Sequence, residues 1–372
     1  MSSLGLMDDL NASPQVTASH LAVPPINTEP ISLRVICVID ETPDVKTFVF
    51  ERADAEPLRY EPGQFITIEL PVPPTSLFRT YTLSSSPSRP LSVSVTVKAQ
   101  KDSIGSRWMF ENLRKGCVVT ALGPAGRFTL GDAARQPCLF ISAGSGITPM
   151  MSMLRWLHDV APDADVTFIH CARSPEDIIF RRELSLLAHN MPHLKLGIVV
   201  ETPRRVDCWT GLQGRLDAMR LSALAPDFHK RRAFCCGPEP FMGGVRSCLK
   251  DLNFDMAEYR EEAFGPSPQT VSDAAETIER EIIADGQHLV RFEASNVEVA
   301  CAAEETILVA GRKAGVRILS VCEMGICGTC KVRKISGDVA MEHNGGITKE
   351  EIDEGYILAC CAKPHGPITI EG

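Results

Sequence analysis

A short cysteine run near the C-terminal end has a spacing that few chemistries need. Cys322, Cys327 and Cys330 stand as C-x4-C-x2-C, and a 29-residue gap, 331–359, leads to the pair Cys360-Cys361. Four thiolates in this pattern suit a plant-type [2Fe–2S] cluster. Gly325, Gly328 and Thr329 are small enough for the loop to wrap tightly and aim backbone N–H groups at the sulfurs. Neighbouring side chains on an extended segment point to opposite sides, so one member of the final pair faces the cluster. The gap and the Leu358-Ala359-Cys360 context select Cys360 over Cys361. Zinc would favour two separated C-x2-C knuckles, and the chain has one. A disulfide framework would need an oxidising compartment and usually a short chain. The start of this chain carries Asp8 and Asp9 rather than a basic secretion segment. The expected location is therefore the cytoplasm, where most of the other cysteines among the 14 read as small buried residues.

A second run, Arg79-Thr80-Tyr81-Thr82-Leu83-Ser84-Ser85, has strand-like alternation. It places Arg79, Tyr81 and Leu83 on one face and Thr80, Thr82 and Ser84 on the other. A flavin needs a cation for its phosphate, an aromatic plane over its ring and a small hydrogen-bonding group near N5, and this run offers all three. Taken alone, it reads equally as an ordinary strand with Tyr81 in the core. Downstream, Gly105 and Ser106 precede a predicted helix, Arg107–Arg114. A glycine and a hydroxyl at a helix N-terminus suit a pyrophosphate.

A third run, Gly144-Ser145-Gly146-Ile147-Thr148-Pro149, follows an apolar strand and opens a helix. Its glycines permit close backbone approach to a nicotinamide nucleotide, Thr148 is placed to touch the carboxamide, and Pro149 fits the first helical turn. Cys236-Gly237-Pro238 follows another strand, which sets Cys236 at the carboxyl edge of a parallel sheet, where ligands bind. Glu201 ends the strand Gly197–Val200, suited to a ribose 2′-hydroxyl and repulsive to a 2′-phosphate. This favours NADH over NADPH, although Arg204 and Arg205 nearby are able to answer a phosphate. Glu201 also reads as a solvated strand end.

These sites need elements to hold them. With 372 residues the chain can bury two or three cores. The net charge of −9 argues against sequence-independent nucleic-acid binding, and no window approaches a membrane span. Residues 1–30 read as a mobile tail. Short strands at Leu33–Val38, Thr47–Phe50, Phe65–Leu70 and Leu91–Val97 predict an antiparallel barrel over 31–132. Strands at Cys138–Ser142, Val166–His170, Leu194–Val200 and Arg232–Cys236, with helical runs between, predict an α/β nucleotide-binding domain with a parallel sheet over 133–262. Residues 263–285 read as a linker. Two strands from Val290, a helix near 305–314 and the cysteine loop complete an α+β segment, 286–372.

In this order, Arg79-x-Tyr81-Thr82-x-Ser84, Gly144-x-Gly146-x-x-Pro149 and Cys236-Gly237-Pro238 resemble the ferredoxin–NADP reductase superfamily. With a C-terminal plant-type ferredoxin domain, of β-grasp fold, the chain looks like the reductase component of a multicomponent oxygenase over about residues 31–372. The runs Gly144–Trp156, Arg173–Phe180 and Met341–Gly346 are most similar to reductases of Rieske-type monooxygenases that demethylate quaternary ammonium compounds such as glycine betaine. The resemblance implies a flavin, FAD rather than FMN, in the barrel, NADH in the second domain and [2Fe–2S] in the third. It also implies that Phe264 lies against the flavin; otherwise Phe264 anchors the linker. Relatives often have Ser-Asn where this chain has Gly105-Ser106-Arg107, which bears on the pyrophosphate contact and on the choice of flavin. The acceptor implied is a terminal oxygenase, with hybrid-cluster protein, a di-iron hydroxylase or a desaturase as alternatives. A redox sensor with vestigial sites is a reading of another class, and the intact motifs argue against it.

Overall fold

The computed structural model describes residues 30–73, 77–100, 103–202, 209–264, 287–316, 330–343 and 347–371, with 318, 320, 325 and 328 between them. Nearly all of the predicted tail and of the predicted linker lie outside the described residues.

The first unit is a six-stranded antiparallel sheet built from Ile31–Thr42 (β1), Val45–Arg52 (β2), Phe65–Leu70 (β3), Leu77–Thr82 (β4), Val93–Lys98 (β5) and Val118–Ala125 (β6). The order is β4-β3-β6-β1-β2-β5. A bridge between Leu83 and Val95 joins the two outer strands, so the sheet closes on itself. Closure removes the edges and encloses a core of Leu33, Val35, Phe48, Phe50, Ile66, Ile68, Leu83 and Val95. The strand expected from Leu91 begins at Val93, and Leu91 is exposed.

Helix α1, Ile104–Asn112, starts three residues before the expected Arg107. The cause is local: the Ser103 hydroxyl accepts from the Ser106 N–H at 3.4 Å and caps the helix. Gly105 and Ser106 therefore lie within its first turn rather than ahead of it.

The second unit is a parallel sheet of Cys138–Ala143 (β7), Val166–Ala172 (β8), Leu194–Val200 (β9), Leu212–Gln213 (β10), Arg232–Gly237 (β11) and Tyr259–Ala263 (β12). Helices α2 (Ile147–Val160), α3 (Arg181–Asn190), α4 (Ala218–Leu224) and α5 (Glu239–Asp251) connect and cover it. The order β10-β9-β8-β7-β11-β12 reverses direction between β7 and β11. That reversal opens a crevice at the carboxyl ends of these two strands. Alternate residues feed two cores, Phe140, Phe168 and Phe234 on one face and Leu139, Ile169 and Val199 on the other. Beneath them the fully buried Arg231 is paired with Asp165 at 2.9 Å and Asp227 at 2.7 Å.

The third unit contains Gln287–Phe292 (β13), Val297–Ala302 (β14), helix α6 (Ile307–Lys313), Lys331–Ser336 (β15), Val339–Met341 (β16), helix α7 (Lys349–Asp353), Tyr356–Leu358 (β17), Ala362–Pro364 (β18) and Ile368–Ile370 (β19). A five-stranded sheet runs β14-β13-β19-β15-β17, and β16 pairs with β18. The last strand lies parallel to the first, and the face carrying Val290, Phe292, Ile368 and Ile370 is covered by Ile307, Leu308 and Ala310 of α6.

Candidate active site

On β4, Arg79 lies opposite Ile68 and Tyr81 opposite Ile66, so the two side chains share a face. Thr82 lies opposite Phe65 on the other. A Cβ added to Gly105 would stand 2.9 Å from the Arg79 Cγ and 3.2 Å from Leu77. The first turn of α1 is thus seated directly on the Arg79 stem. This brings together a cation and the positive end of a helix, both of which favour a phosphate. The Ser106 hydroxyl accepts from the Gln100 N–H at 3.2 Å, which stabilises the turn. Burial raises the Tyr81 phenol above its ordinary value, so the ring is a neutral surface. The Ser84 hydroxyl is engaged elsewhere, 2.9 Å from Thr96 and 3.1 Å from Ser94. Thr96 continues to Thr47 at 2.8 Å, and Thr47 donates to Glu41 at 2.7 Å.

The β7–α2 turn meets the end of β11. Gly144 has φ +54°, a conformation that favours glycine. A Cβ on Gly146 would sit 2.3 Å from the Cys236 carbonyl oxygen and 2.6 Å from the Gly237 N, so only glycine fits this approach. Gly237 is packed by Phe241 and Ala143, and Pro238 caps α5. Thr148 is buried and donates to the Ser145 carbonyl at 3.1 Å; Pro149 is the third residue of α2 and needs no helical N–H. Cys236 is fully buried, and desolvation, followed by the nearby Glu262, pushes its thiol well above the ordinary value. It is a neutral thiol, not a thiolate.

Glu262 lies directly beside Cys236 across the β11–β12 pairing. Burial raises its carboxyl to about 8, against a hydrogen bond from Thr82 that acts in the other direction. Its Oε2 meets no partner. Thr82 belongs to β4 of the barrel and Glu262 to β12 of the parallel sheet, so this contact joins two segments that are far apart in sequence. Phe264, two residues further on, is 43% exposed. Glu201 follows β9 directly, with its carboxylate 2.6 Å from Arg215 Nε. Arg204 and Arg205 lie outside the described residues.

In the third unit, Cys330 and Cys360 are both buried, with their thiols in hydrogen-bonding contact, and the Gly325 N–H is directed at Cys360. Gly325 and Gly328 have φ +69° and +75°, the left-handed backbone of a tightly wrapped loop. The Ala359 N–H donates to the Cys330 carbonyl at 3.0 Å, fixing the approach. Cys361 is half-buried, and its thiol reaches the Leu358 carbonyl at 3.7 Å. Cys322 and Cys327 lie outside the described residues. Two adjacent thiols beneath a left-handed glycine loop are a donor set that fits an iron–sulfur group.

The sequence matches the oxidoreductase FAD-binding domain over residues 32–130, the oxidoreductase NAD-binding domain over 140–247 and the 2Fe-2S iron-sulfur cluster binding domain over 290–365. It is 47% identical to the stachydrine N-demethylase reductase subunit Stc4 of Rhizobium meliloti (strain 1021), over 89% of this chain and 93% of that one. The chain belongs to the ferredoxin–NADP reductase superfamily. The reductase is also 43% identical to the glycine betaine monooxygenase reductase subunit of Pseudomonas aeruginosa (strain UCBPP-PA14), over 91% and 94% of the two chains. Phthalate dioxygenase reductase shares its fold, with a TM-score of 0.57 at 23% identity, covering 92% of the reductase and 98% of that chain. The reductase is thus an oxidoreductase with FAD, NAD and [2Fe–2S] domains. Among the described residues no helix is long and apolar enough to cross a membrane.

Two features of this site escaped sequence reasoning. Glu262 stands in the acidic run Glu261-Glu262, which reads as a solvated strand end, and its only cue was proximity to the Phe264 position. The polar bonds that α2 makes to the barrel involve a serine, an arginine and an aspartate with no motif of their own.

Proposed function

We propose that the reductase takes hydride from NADH at the β7–β11 crevice and passes electrons singly, through its ferredoxin domain, to a Rieske-type oxygenase that demethylates a quaternary ammonium compound such as glycine betaine or stachydrine. The observation that carries the redox part is the meeting of Cys236, Glu262 and Thr82. It sets the nucleotide edge and the flavin strand within hydrogen-bonding reach of each other. The names of the relatives support the acceptor and substrate class.

When bound, FAD supplies the conversion of a two-electron hydride into single electrons that a [2Fe–2S] cluster can carry. Arg79 and the start of α1 hold the pyrophosphate, and Tyr81 offers its neutral ring to the flavin. Gly144 and Gly146 let the dinucleotide approach the backbone, and Gly237 and Pro238 shape the far wall. Cys236 and Thr148 orient the nicotinamide, and the apolar, uncharged thiol excludes water from the reacting face. Glu262, protonated at neutral pH, holds a proton beside Thr82. Glu201 accepts from the adenosine ribose and disfavours a 2′-phosphate. Cys322, Cys327, Cys330 and Cys360 hold the iron. Phe264 covers the flavin at the junction.

The test is stopped-flow reduction of the flavin by NADH in Cys236→Ala, followed by NADH-driven demethylation with candidate Rieske oxygenases. The variant is expected to slow flavin reduction while cluster content stays unchanged. Unaltered flavin reduction would remove Cys236 from the site, and an acceptor that works only outside the oxygenases would overturn the partner.

A further inference from the structure

Helix α2 begins at the turn assigned to the nicotinamide and runs along the flavin barrel. Three of its polar residues, Ser152, Arg155 and Asp159, are spaced three and four apart and so share one face. Each binds the segment that follows β4. Ser152 Oγ donates to the Ser85 carbonyl at 2.8 Å and accepts from the Gly63 N–H at 3.2 Å. Arg155 donates to the Ser84 carbonyl. Asp159 accepts from Arg89 at 2.5 Å and from the Ser88 hydroxyl. Gly63 permits this approach, since a Cβ there would fall 2.7 Å from Met153 of the same helix.

Arg155 is held more firmly than an ordinary interface cation. Its Nε and one terminal nitrogen grip Glu183 of α3 at 2.7 and 2.6 Å, leaving the other for Ser84. The guanidinium also stacks on Phe180 at 4.6 Å from the ring centroid. A bidentate and stacked guanidinium has one orientation, so it transmits position rather than only charge. Its target, the Ser84 carbonyl, is two residues beyond Thr82, which touches Glu262. From Thr148 to Asp159 the helix is about 16 Å of rigid rod.

We infer that Arg155 is a positioning residue for hydride transfer: through α2 it fixes the separation between the nicotinamide turn and the flavin strand, without touching either ligand. This rests on the assignment of nicotinamide to the Gly144–Pro149 turn and of flavin to β4. Hydride transfer needs near-attack contact, and a misplacement of about 1 Å can cost roughly 100-fold in rate.

The experiment compares Arg155→Met, Arg155→Lys and Cys236→Ala in the full chain under anaerobic stopped flow. The limiting rate of flavin reduction is expected to fall about 10- to 100-fold in Arg155→Met, with apparent NADH affinity within about twofold of the parent. The long-wavelength absorbance of nicotinamide stacked on flavin should weaken in parallel, at unchanged flavin content. Arg155→Lys should recover part of both, because it can still reach the Ser84 carbonyl. Should Arg155→Met shed its flavin, the Lys variant decides: a parental rate and absorbance there overturn the inference. A parental rate in Arg155→Met beside a slowed Cys236→Ala overturns the positioning role alone. Parental rates in both overturn the nicotinamide assignment as well, and a loss confined to NADH affinity makes Arg155 a binding residue instead.

Discussion

Glu262 provides a perturbation whose size can be worked from its surroundings. The side chain is buried on the last strand of the parallel sheet, and desolvation lifts its carboxyl from 4.5 to about 8. The folded protein therefore holds this proton more tightly than the unfolded chain. The associated stability is fully present below about pH 4.5, declines as pH rises, and is lost once pH exceeds about 8. At about 1.4 kcal/mol per unit, the whole loss amounts to roughly 3–5 kcal/mol. Glu262→Gln keeps the neutral shape and the capacity to bond Thr82, but it cannot ionise. Urea unfolding of parent and variant, followed by flavin and tryptophan fluorescence at intervals from pH 5 to 9, isolates this group by difference. The parent should lose about 3–5 kcal/mol more than Glu262→Gln over that range. Parallel curves would refute the reasoning, because they would mean that the carboxyl ionises freely and that no buried proton stands beside Cys236.

Two further outcomes follow from the geometry. Cys360→Ser should purify without the visible absorbance of the cluster, whereas Cys361→Ser should retain it, since Cys360 meets Cys330 and the Gly325 N–H while the Cys361 thiol reaches the Leu358 carbonyl; iron content per chain checks both. Gly63→Ala should destabilise the chain by about 1–3 kcal/mol or more in urea melts, because its φ of +103° strains alanine and its Cβ would stand 2.2 Å from the Phe128 carbonyl. Gly116→Ala, with φ +93° and nothing within 4 Å, should show only the backbone cost of about 1–2 kcal/mol.

The parts of this site that were legible in the sequence are those whose chemistry demands a residue type at a short spacing. Three of the four proposed cluster ligands are cysteines on one loop. A dinucleotide turn must be glycine-rich, and a cation and an aromatic on one strand face must alternate. Each constraint acts within about ten residues, and each left a motif. What decided the rest acts across the chain. Gly146 excludes a side chain because of the Cys236 carbonyl, which belongs to a strand that follows only after two intervening strand–helix passages. The start of α1 depended on a single hydroxyl, Ser103, so the expected helix began too late and placed Gly105 and Ser106 outside it.

Ser84 and Thr82 show why strand alternation alone is insufficient. Both lie on the face opposite Tyr81, and both present a small hydroxyl, so sequence gives them the same role. Beyond Thr82 the chain leaves β4 and its next residue bridges to β5, which delivers the Ser84 hydroxyl to Ser94 and Thr96. Thr82 instead meets Glu262 from the neighbouring domain. The closure of the barrel, a contact between its first and last strands in the sheet order, thus separates a hydroxyl that meets Glu262 from one that braces the wall. The carbonyl of Ser84 then remains the group available to α2, and Arg155 takes it. The same closure that commits the Ser84 side chain to the barrel therefore leaves its backbone as the handle by which α2 holds the segment that follows β4.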